Sequence, residues 1–191
     1  MIRFIDDFAT AINGIPAEAK PVALRHLELI NLSLTLGRAP FAAILMSSAL
    51  SLTHLDLSSN AIGDIAILTS AISACRELAT LSMKHCGLLP GHIARLVVAL
   101  DIAGSDALEE LHLDYNNVGD GGAIALSQAL RSGPSVCVLS LRQAGILQRG
   151  GLALAEGWRF APNLARMGLT DNLLGDSAVQ ALLNTVACSR V

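Results

Sequence analysis

Aliphatic residues recur along the chain at spacings that first alternate with polar residues and then follow a helical period. The clearest example starts at Leu108 and follows the pattern L-x-x-L-x-L-x-x-N-x-L, with Asn116 at the polar position. The alternation predicts a short strand in which Leu111 and Leu113 point to one side and the residues between them to the other. Asn116 falls where the chain must turn, and its side chain can bond neighbouring backbone groups.

The residues after this turn change to a helical period. Asp120 stands where it can cap a helix, and Ala123, Leu126 and Leu130 share one face of the helix that follows. The unit is therefore predicted to be a strand, a turn and a helix.

The same unit recurs along most of the chain. Its first positions are separated by 28, 26, 30, 28 and 28 residues, a regularity typical of repeat proteins. The units start at Leu24, Leu52, Leu78, Leu108, Val136 and Leu164. The first unit is degenerate, because Leu32 stands at its turn position. Helices are predicted over residues 39–50, 64–77, 90–102, 120–131, 149–160 and 176–189.

The residue at the turn position alternates between Asn and a small residue, in the order Asn60, Cys86, Asn116, Ala144 and Asn172. Gly-Asp pairs follow each of these Asn turns. This pattern resembles leucine-rich repeats of the ribonuclease-inhibitor type, in which Asn and Cys turns alternate. The resemblance implies an α/β fold, a right-handed solenoid of about six repeats bent into a horseshoe arc. Parallel strands would line its concave face and helices its convex face.

Two parts of the chain are distinguished by their patterns. Residues 1–23 carry a helical stripe at Ile2, Ile5, Phe8 and Ile12 that ends near Gly14, and we expect a helical cap over the first repeat. Residues 24–191 are expected to form the leucine-rich repeat domain. The lone Trp158 falls 28 residues after Leu130, at an inward position, and is expected to belong to the core.

Composition excludes several classes of function. The net charge is only −3 and aromatic residues make up 3% of the chain, so neither the basic stripe nor the stacking residues of a nucleic-acid binder are present. Apolar residues are interrupted at strand and helix spacing, which argues against a membrane span. We expect a protein partner, and no nucleic acid, membrane or cofactor.

The four cysteines show no C-x-x-C pair and no zinc spacing with His. We therefore expect free thiols in a reducing compartment. Asp6 and Asp7 stand where a secretion signal needs an apolar run, and a cytoplasmic protein is expected.

The outward strand positions are the candidate binding surface. In the middle of the sheet, a mixed-charge patch surrounds Tyr115, and exposed Tyr and Arg are enriched in protein interfaces. The candidate residues are Lys84, His85, Glu110, His112, Asp114, Tyr115, Arg142 and Arg166. The alternative is that these charges solvate an exposed sheet and pair across strands.

A second polar group lies on the first strands, where His26 should neighbour His54 and Glu28 should neighbour Asp56. Such a group could hold zinc or serve as a general acid and base. The competing interpretation is that each His pairs with a carboxylate on a solvated ladder. With no nucleophile elbow and no phosphate loop in the sequence, we expect a protein that is not an enzyme.

Two classes of function remain open. The first is a non-enzymatic scaffold that binds a protein on its concave face. The second is a modulator of a GTPase, because the resemblance extends to a Ran GTPase-activating protein with similar repeats. At the other end, the flank of the last repeat includes Leu174, Leu182 and Val186, and it is expected either to be partly open or to pack on another molecule. Two hypotheses explain an open flank: end-to-end self-association, or a chain that is a fragment of a longer solenoid.

Overall fold

The computed structural model describes residues 24–33, 35–36, 45–46, 48–100, 107–132 and 135–188. The helical cap predicted over residues 1–23 lies outside these residues. So does most of the helix predicted over residues 39–50, of which Leu45 and Met46 are helical. The domain boundary at residue 24 therefore stays a prediction.

A parallel sheet of six strands places the strand of each repeat beside that of the next. The register pairs His26 with His54 and Glu110 with Val138, as the alignment of the repeats predicts. A second sheet of two strands, Thr35–Leu36 and Ala61–Ile62, follows the turns of the first two repeats. The strands are β1 (His26–Glu28), β2 (Thr35–Leu36), β3 (His54–Asp56), β4 (Ala61–Ile62), β5 (Thr80–Ser82), β6 (Glu110–His112), β7 (Val138–Ser140) and β8 (Arg166–Gly168).

Helices connect successive strands of the main sheet and pack against one another in chain order. The described helices are α1 (Ile65–Ser73), α2 (Pro90–Ala99), α3 (Gly119–Leu130), α4 (Gln148–Trp158) and α5 (Gly175–Cys188). Each lies within two residues of its predicted start. The helices α1 and α2 end earlier than predicted. Ala74 is the C-cap of α1, and Leu100 is the C-cap of α2.

The core is one continuous cluster that runs through the repeats between sheet and helices. Leu111 and Leu113, predicted to point inward, are 1% and 0% exposed. Trp158 is half-buried against this cluster, and its indole Nε1 donates a hydrogen bond to the carbonyl of Leu164 at 2.9 Å. Each repeat is therefore stabilised by its neighbours, as expected of a repeat protein.

The turn residue Asn116 joins its own repeat to the preceding one. Its Oδ1 accepts hydrogen bonds from the backbone N–H groups of Cys86 and Leu88, each at 3.0 Å. Its Nδ2 donates to the carbonyls of Met83 at 2.8 Å and Leu113 at 2.9 Å. The residues that bond both their own and the preceding repeat in the same way are Asn60 and Asn172.

Cys86 shows why a small residue suffices at the alternate turns. Its backbone N–H is already satisfied by Asn116 from the next repeat, while its Sγ donates to the carbonyl of Leu57 in the preceding repeat at 3.3 Å. Ala144 keeps the first bond, since its N–H donates to Asn172 Oδ1 at 3.0 Å. The alternation in sequence is therefore a hydrogen-bonding pattern shared between neighbouring repeats.

Asp120 does not cap its own helix, contrary to the sequence-based expectation. It lies in the first turn of α3, and its Oδ1 accepts hydrogen bonds from Leu147 N–H at 2.9 Å and Gly150 N–H at 2.8 Å. Both donors belong to the N-terminus of α4, where a carboxylate favourably meets the helix dipole. Asp64, by contrast, caps its own helix by accepting from Ala66 N–H.

The flank of the last repeat differs from the expectation in detail. Leu174 and Leu182 are buried rather than open, because both side chains pack into the core. The exposed apolar side chains on α5 are instead Val179 and Leu183, at 45% and 59%. Val186 is half-buried, so an apolar stripe remains accessible along this helix.

Candidate protein-binding surface

The strand positions that point away from the core form a polar face, which we call the sheet face. Glu110 and His112 lie two residues apart on β6. Because successive strand residues point to opposite sides, both side chains project to the same face of the sheet. Glu110 Oε2 lies 3.1 Å from His112 Nε2, so the two side chains form a pair on one strand. Both are half-buried, and their polar groups remain accessible from the sheet face.

Asp114 is buried, contrary to the expectation that it forms part of an exposed patch. Its side chain is drawn toward the next repeat, where Oδ1 accepts from Ser140 Oγ at 2.6 Å and from Arg142 N–H at 2.8 Å. Its Oδ2 lies 3.8 Å from Lys84 Nζ. Asp114 therefore links the ends of neighbouring strands by hydrogen bonds. The charges that remain accessible at this place are those of Lys84 and Arg142.

Tyr115 follows Asp114, and the residue at the equivalent position of every repeat occupies the left-handed region of backbone conformation. At Tyr115 φ is 60°, and at His85 it is 54°. Non-glycine residues rarely adopt this conformation, so the repeated geometry is imposed by the turn that follows each strand. The equivalent residues with positive φ are Asn31, Ser59, His85, Tyr115, Gln143 and Asp171. They form a row at the ends of the strands, as the repeat alignment predicts.

Within this row, the rings of His85 and Tyr115 stack. Their centroids are 4.5 Å apart and their planes differ by 4°. Tyr115 remains 41% exposed, so one ring face is supported by His85 while the side chain stays accessible. A rigid, exposed tyrosine is the kind of residue that contributes strongly to protein interfaces.

A shallow groove of about 410 Å³ runs along the row beyond Tyr115. We call it the Tyr115 groove. Its lining residues are His85, Tyr115, Asn116, Asn117, Gln143, Gly145, Leu147, Asp171, Asn172 and Leu173. Leu147 and Leu173 are 50% and 80% exposed, and a parallel bridge joins their backbones.

Sequence reasoning did not select Leu147, Leu173, Gln143 or Asp171 as site residues. One signal was present, because Leu173 occupies the position after the turn residue, where the other repeats carry Ser, Ala, Gly or Asn. The groove itself could not be foreseen, since it depends on how side chains from four repeats lie beside one another.

The structure brings most of the predicted patch together and separates one member. His85 and Tyr115 stack, Lys84 lies beside buried Asp114, and the side chain of Arg142 is exposed on the neighbouring repeat. Arg166 lies apart, because it starts the last strand and pairs with Val138 rather than with a patch residue. It is exposed at the edge of the sheet.

The histidines of the first strands stack on each other. The ring centroids of His26 and His54 are 3.9 Å apart, with an angle of 14° between their planes. His54 Nδ1 lies 2.9 Å from Thr53 Oγ1, while Asp56 Oδ1 accepts from Ser58 N–H. Among the described residues, no group of three or more His, Cys, Asp or Glu has an arrangement that could hold a metal ion.

The thiols are also placed by the fold. Cys75 and Cys86 are buried and Cys137 is half-buried, and all three are free. Burial raises the pKa of the Cys75 and Cys86 thiols to about 11. The side chain of Cys188 lies outside the described part of the structure. Separately, no helix in the described residues is long and apolar enough to cross a membrane.

Comparisons with known proteins agree with this geometry. Residues 49–67 and 107–127 match the family described as Leucine Rich repeat. A ribonuclease inhibitor from Sus scrofa is 30% identical over 86% of this chain, which spans 36% of that protein. A Tonsoku-like protein from Bos taurus is 33% identical over 69% of this chain, which spans 10% of that protein. The chain therefore matches only a part of these relatives.

A solved structure of the leiomodin-1 actin-binding site 2 shares the fold, with a TM-score of 0.56 at 10% identity, covering 97% of this chain and 88% of that one. Parallel strands, alternating helices and the asparagine turns define a leucine-rich repeat protein. Within that class, the chain is a leucine-rich repeat protein of the ribonuclease-inhibitor-like type.

Proposed function

We propose that this protein is a non-enzymatic scaffold that binds a protein partner on its concave sheet face. The observation that carries the proposal is the exposed ring of Tyr115, supported by the parallel ring of His85 on a rigid strand end. Around it stand the accessible charges of Lys84, Glu110 and Arg142. An aromatic residue surrounded by charges of both signs is typical of a protein interface, in which an aromatic core is enclosed by a polar rim.

Preorganisation supports the same proposal. The left-handed backbone at Tyr115 and the hydrogen bonds of Asp114 to the next repeat hold this surface in place before any partner arrives. A rigid surface loses less conformational entropy on binding, and more of the contact energy remains as affinity. A cytoplasmic location belongs to the proposal as well, supported by the free thiols of Cys75, Cys86 and Cys137.

The test is an affinity capture from a native lysate with matched variants. Glu110→Arg combined with Tyr115→Asn alters the proposed centre, and Asn is chosen because it tolerates the left-handed conformation at this position. Glu109→Arg is the control, since it makes the same charge change at an exposed residue just before β6. We expect a protein that is captured by the wild type and the control but lost from the double variant.

Equal capture by all three proteins would contradict the proposal. Thermal unfolding of the double variant must match that of the wild type, because Tyr115 is 41% exposed and Glu110 lies on the surface. A fall in stability would require the capture to be repeated with Tyr115→Asn alone.

Self-association through the last repeat is a separate part of the proposal. Val179 and Leu183 on α5 occupy the positions that Gly151 and Ala155 occupy on α4, where the next repeat covers both. Exposed apolar side chains at such positions favour contact with a second copy. Sedimentation velocity should show concentration-dependent dimers that Leu183→Glu abolishes, and a monomer at all concentrations would contradict this part.

A further inference from the structure

Two arginines lie on the part of the sheet face that the last two strands form. Arg142 follows β7 and Arg166 begins β8, and both side chains are exposed. Arg166 and Gly168 are two residues apart on β8, so both positions face the same side of the sheet. The register pairs Gly168 with Ser140, which places Arg142 two residues farther along the neighbouring strand.

The side chain of Arg142 folds back toward Gly168. A Cβ placed on Gly168 would lie 3.8 Å from Arg142 Nε and 3.0 Å from Ser140 Oγ. The Ser140 hydroxyl is already engaged, because it donates to Asp114 Oδ1 at 2.6 Å. Since glycine has no side chain, the outward position at residue 168 is a gap in the sheet face beside the Arg142 guanidinium. We call Arg142, Gly168 and Arg166 the arginine corner.

Both arginine side chains can reach the space above Gly168. Arg142 Nε already borders it. Arg166 and Gly168 are separated by roughly 7 Å along the strand, a distance that an exposed side chain as long as arginine can span. A single small group bound above Gly168 can therefore contact both guanidinium groups.

Neither guanidinium makes an ion pair within the part of the chain that the structure describes. Val138 lies between Arg166 and Glu110 in the register, which keeps the backbones of these two residues roughly 10 Å apart. Asp171 does not neutralise Arg142, whose side chain folds back toward Gly168. The ion pairs of the described residues are Lys84–Asp114, His112–Glu110 and Arg131–Glu156. Both positive charges of the arginine corner are therefore available to a ligand.

We propose that the arginine corner binds the carboxylate of a glutamate or aspartate side chain in the protein partner. One carboxylate oxygen accepts hydrogen bonds from the Arg142 guanidinium, and the other accepts from the Arg166 guanidinium. The gap at Gly168 admits the acidic side chain between them. This inference deepens the proposed function and rests on it, because it states the chemistry by which that partner is recognised on the last two strands.

The charges on the rest of the sheet face favour a single acidic side chain over a polyanion. Glu28, Asp56 and Glu110 occupy outward positions on earlier strands. They repel a ligand that carries negative charge along its whole length. The outward positions of β7 and β8 hold no acidic residue; they are Val138, Ser140, Arg166 and Gly168. An isolated carboxylate placed here is attracted by both arginines and meets no acid on the same strands.

The probe for this site is the peptide acetyl-Val-Glu-Val-amide, compared with versions carrying Gln or phosphoserine in place of Glu. Gln keeps the size of the side chain but removes its charge. NMR spectra of ¹⁵N-labelled protein record the backbone N–H of Gly168 and the Nε–H groups of Arg142 and Arg166. The variants Arg142→Gln and Arg166→Gln identify the two arginine signals by their loss. The titrations are made at low ionic strength, where screening of charges is weak.

We expect the Glu peptide to shift all three signals and to bind about tenfold more tightly than the Gln peptide, which loses both charge pairs. Arg142→Gln or Arg166→Gln alone should weaken the Glu peptide about threefold, and the two together about tenfold. Arg95→Gln removes the same charge from an exposed arginine on α2, and it should change the affinity by less than about twofold. Thermal unfolding of the double variant should match that of the wild type, because both side chains are exposed.

Three results would overturn the inference: no shift of the Gly168 and arginine signals, equal binding of the Glu and Gln peptides, or unchanged affinity in Arg142→Gln/Arg166→Gln. Binding of the phosphoserine peptide without binding of the Glu peptide would overturn the choice of a carboxylate. The proposed function fails separately. If the lysate capture ignores Glu110→Arg and Tyr115→Asn while the Glu peptide still binds, the sheet-face scaffold is wrong and the arginine corner stands. If the capture depends on them while the Glu peptide does not bind, only the arginine corner is wrong.

Discussion

Gly150 and Asp120 form a close contact between successive repeats, because the N–H of Gly150 donates to Asp120 Oδ1 at 2.8 Å. A side chain at residue 150 would destroy this arrangement, since its Cβ would lie 2.5 Å from the same oxygen. The carboxylate of one helix thus supplies the N-terminal cap of the next. This contact couples α3 to α4 in a chain whose repeats are held by their neighbours.

Removing this shared cap should destabilise the solenoid. Asp120→Ala leaves the N–H groups of Leu147 and Gly150 without their acceptor, and we expect a loss of about 1–2 kcal/mol in the free energy of unfolding. Asp176→Ala, in the exposed first turn of the last helix, is the control and should change it by less than about 0.5 kcal/mol. Urea denaturation measures both, and equal effects would show that Asp120 acts only on its own helix.

Gly157 allows α4 to approach α3. A Cβ at this position would lie 2.7 Å from the backbone oxygen of Ser127, which cannot move aside easily. Gly157→Ala should therefore cost about 1–3 kcal/mol despite the better helix propensity of alanine. Gly91→Ala, where nothing lies within 4 Å, should instead stabilise by about 0.5–1 kcal/mol. Circular dichroism during urea unfolding tests the opposite signs, and a stabilised Gly157→Ala would refute the close approach.

Adjacent asparagines offer a test of the hydrogen bonds between repeats. Asn116→Ala leaves the buried N–H groups of Cys86 and Leu88 unsatisfied, and we expect a loss of about 3 kcal/mol. Asn117→Ala should cost less than about 0.5 kcal/mol, because this side chain is exposed and its backbone bond to Leu88 O is unaffected. Chemical denaturation of the two variants should separate them clearly, and similar values would contradict the bridging role.

The buried thiols predict how stability depends on alkaline pH. Burial raises the pKa of Cys75 and Cys86 from 9.0 to about 11 in the folded protein. At pH values between these two pKa values, unfolding therefore releases protons from the thiols. The contribution of the protonated thiols to the free energy of unfolding is complete below pH 9 and is lost as pH rises toward 11. Unfolding free energies measured from pH 8 to 11 should fall more steeply for the wild type than for Cys75→Ala/Cys86→Ala.

The control for this pH dependence is Cys137→Ala, which keeps both buried thiols and should retain the slope of the wild type. If the double variant shows the same slope as the wild type, other groups cause the alkaline loss. Thiol labelling at neutral pH gives an independent measure, because Cys75 and Cys86 are buried and should react more slowly than half-buried Cys137.

The repeat pattern was sufficient for the fold and for the order of residues across the sheet. A strand residue such as Leu111 must point into the core because its neighbours along the chain are polar, and the regular spacing fixes which residues pair. The row ending in Tyr115 and Asp171 followed from the same alignment. Local periodicity carries this information, since it depends only on the geometry of one strand and one helix.

Exposure and hydrogen-bond partners depended on contacts between residues far apart in sequence. Alternation placed both Lys84 and Asp114 on the polar face, yet Asp114 is buried because Ser140 and Arg142 of the next repeat satisfy its carboxylate. Asp120 looked like the cap of its own helix, but its carboxylate accepts hydrogen bonds from the N–H groups of residues 147 and 150. Polar side chains bond to whichever partner packing brings within reach, and these partners lie a whole repeat away.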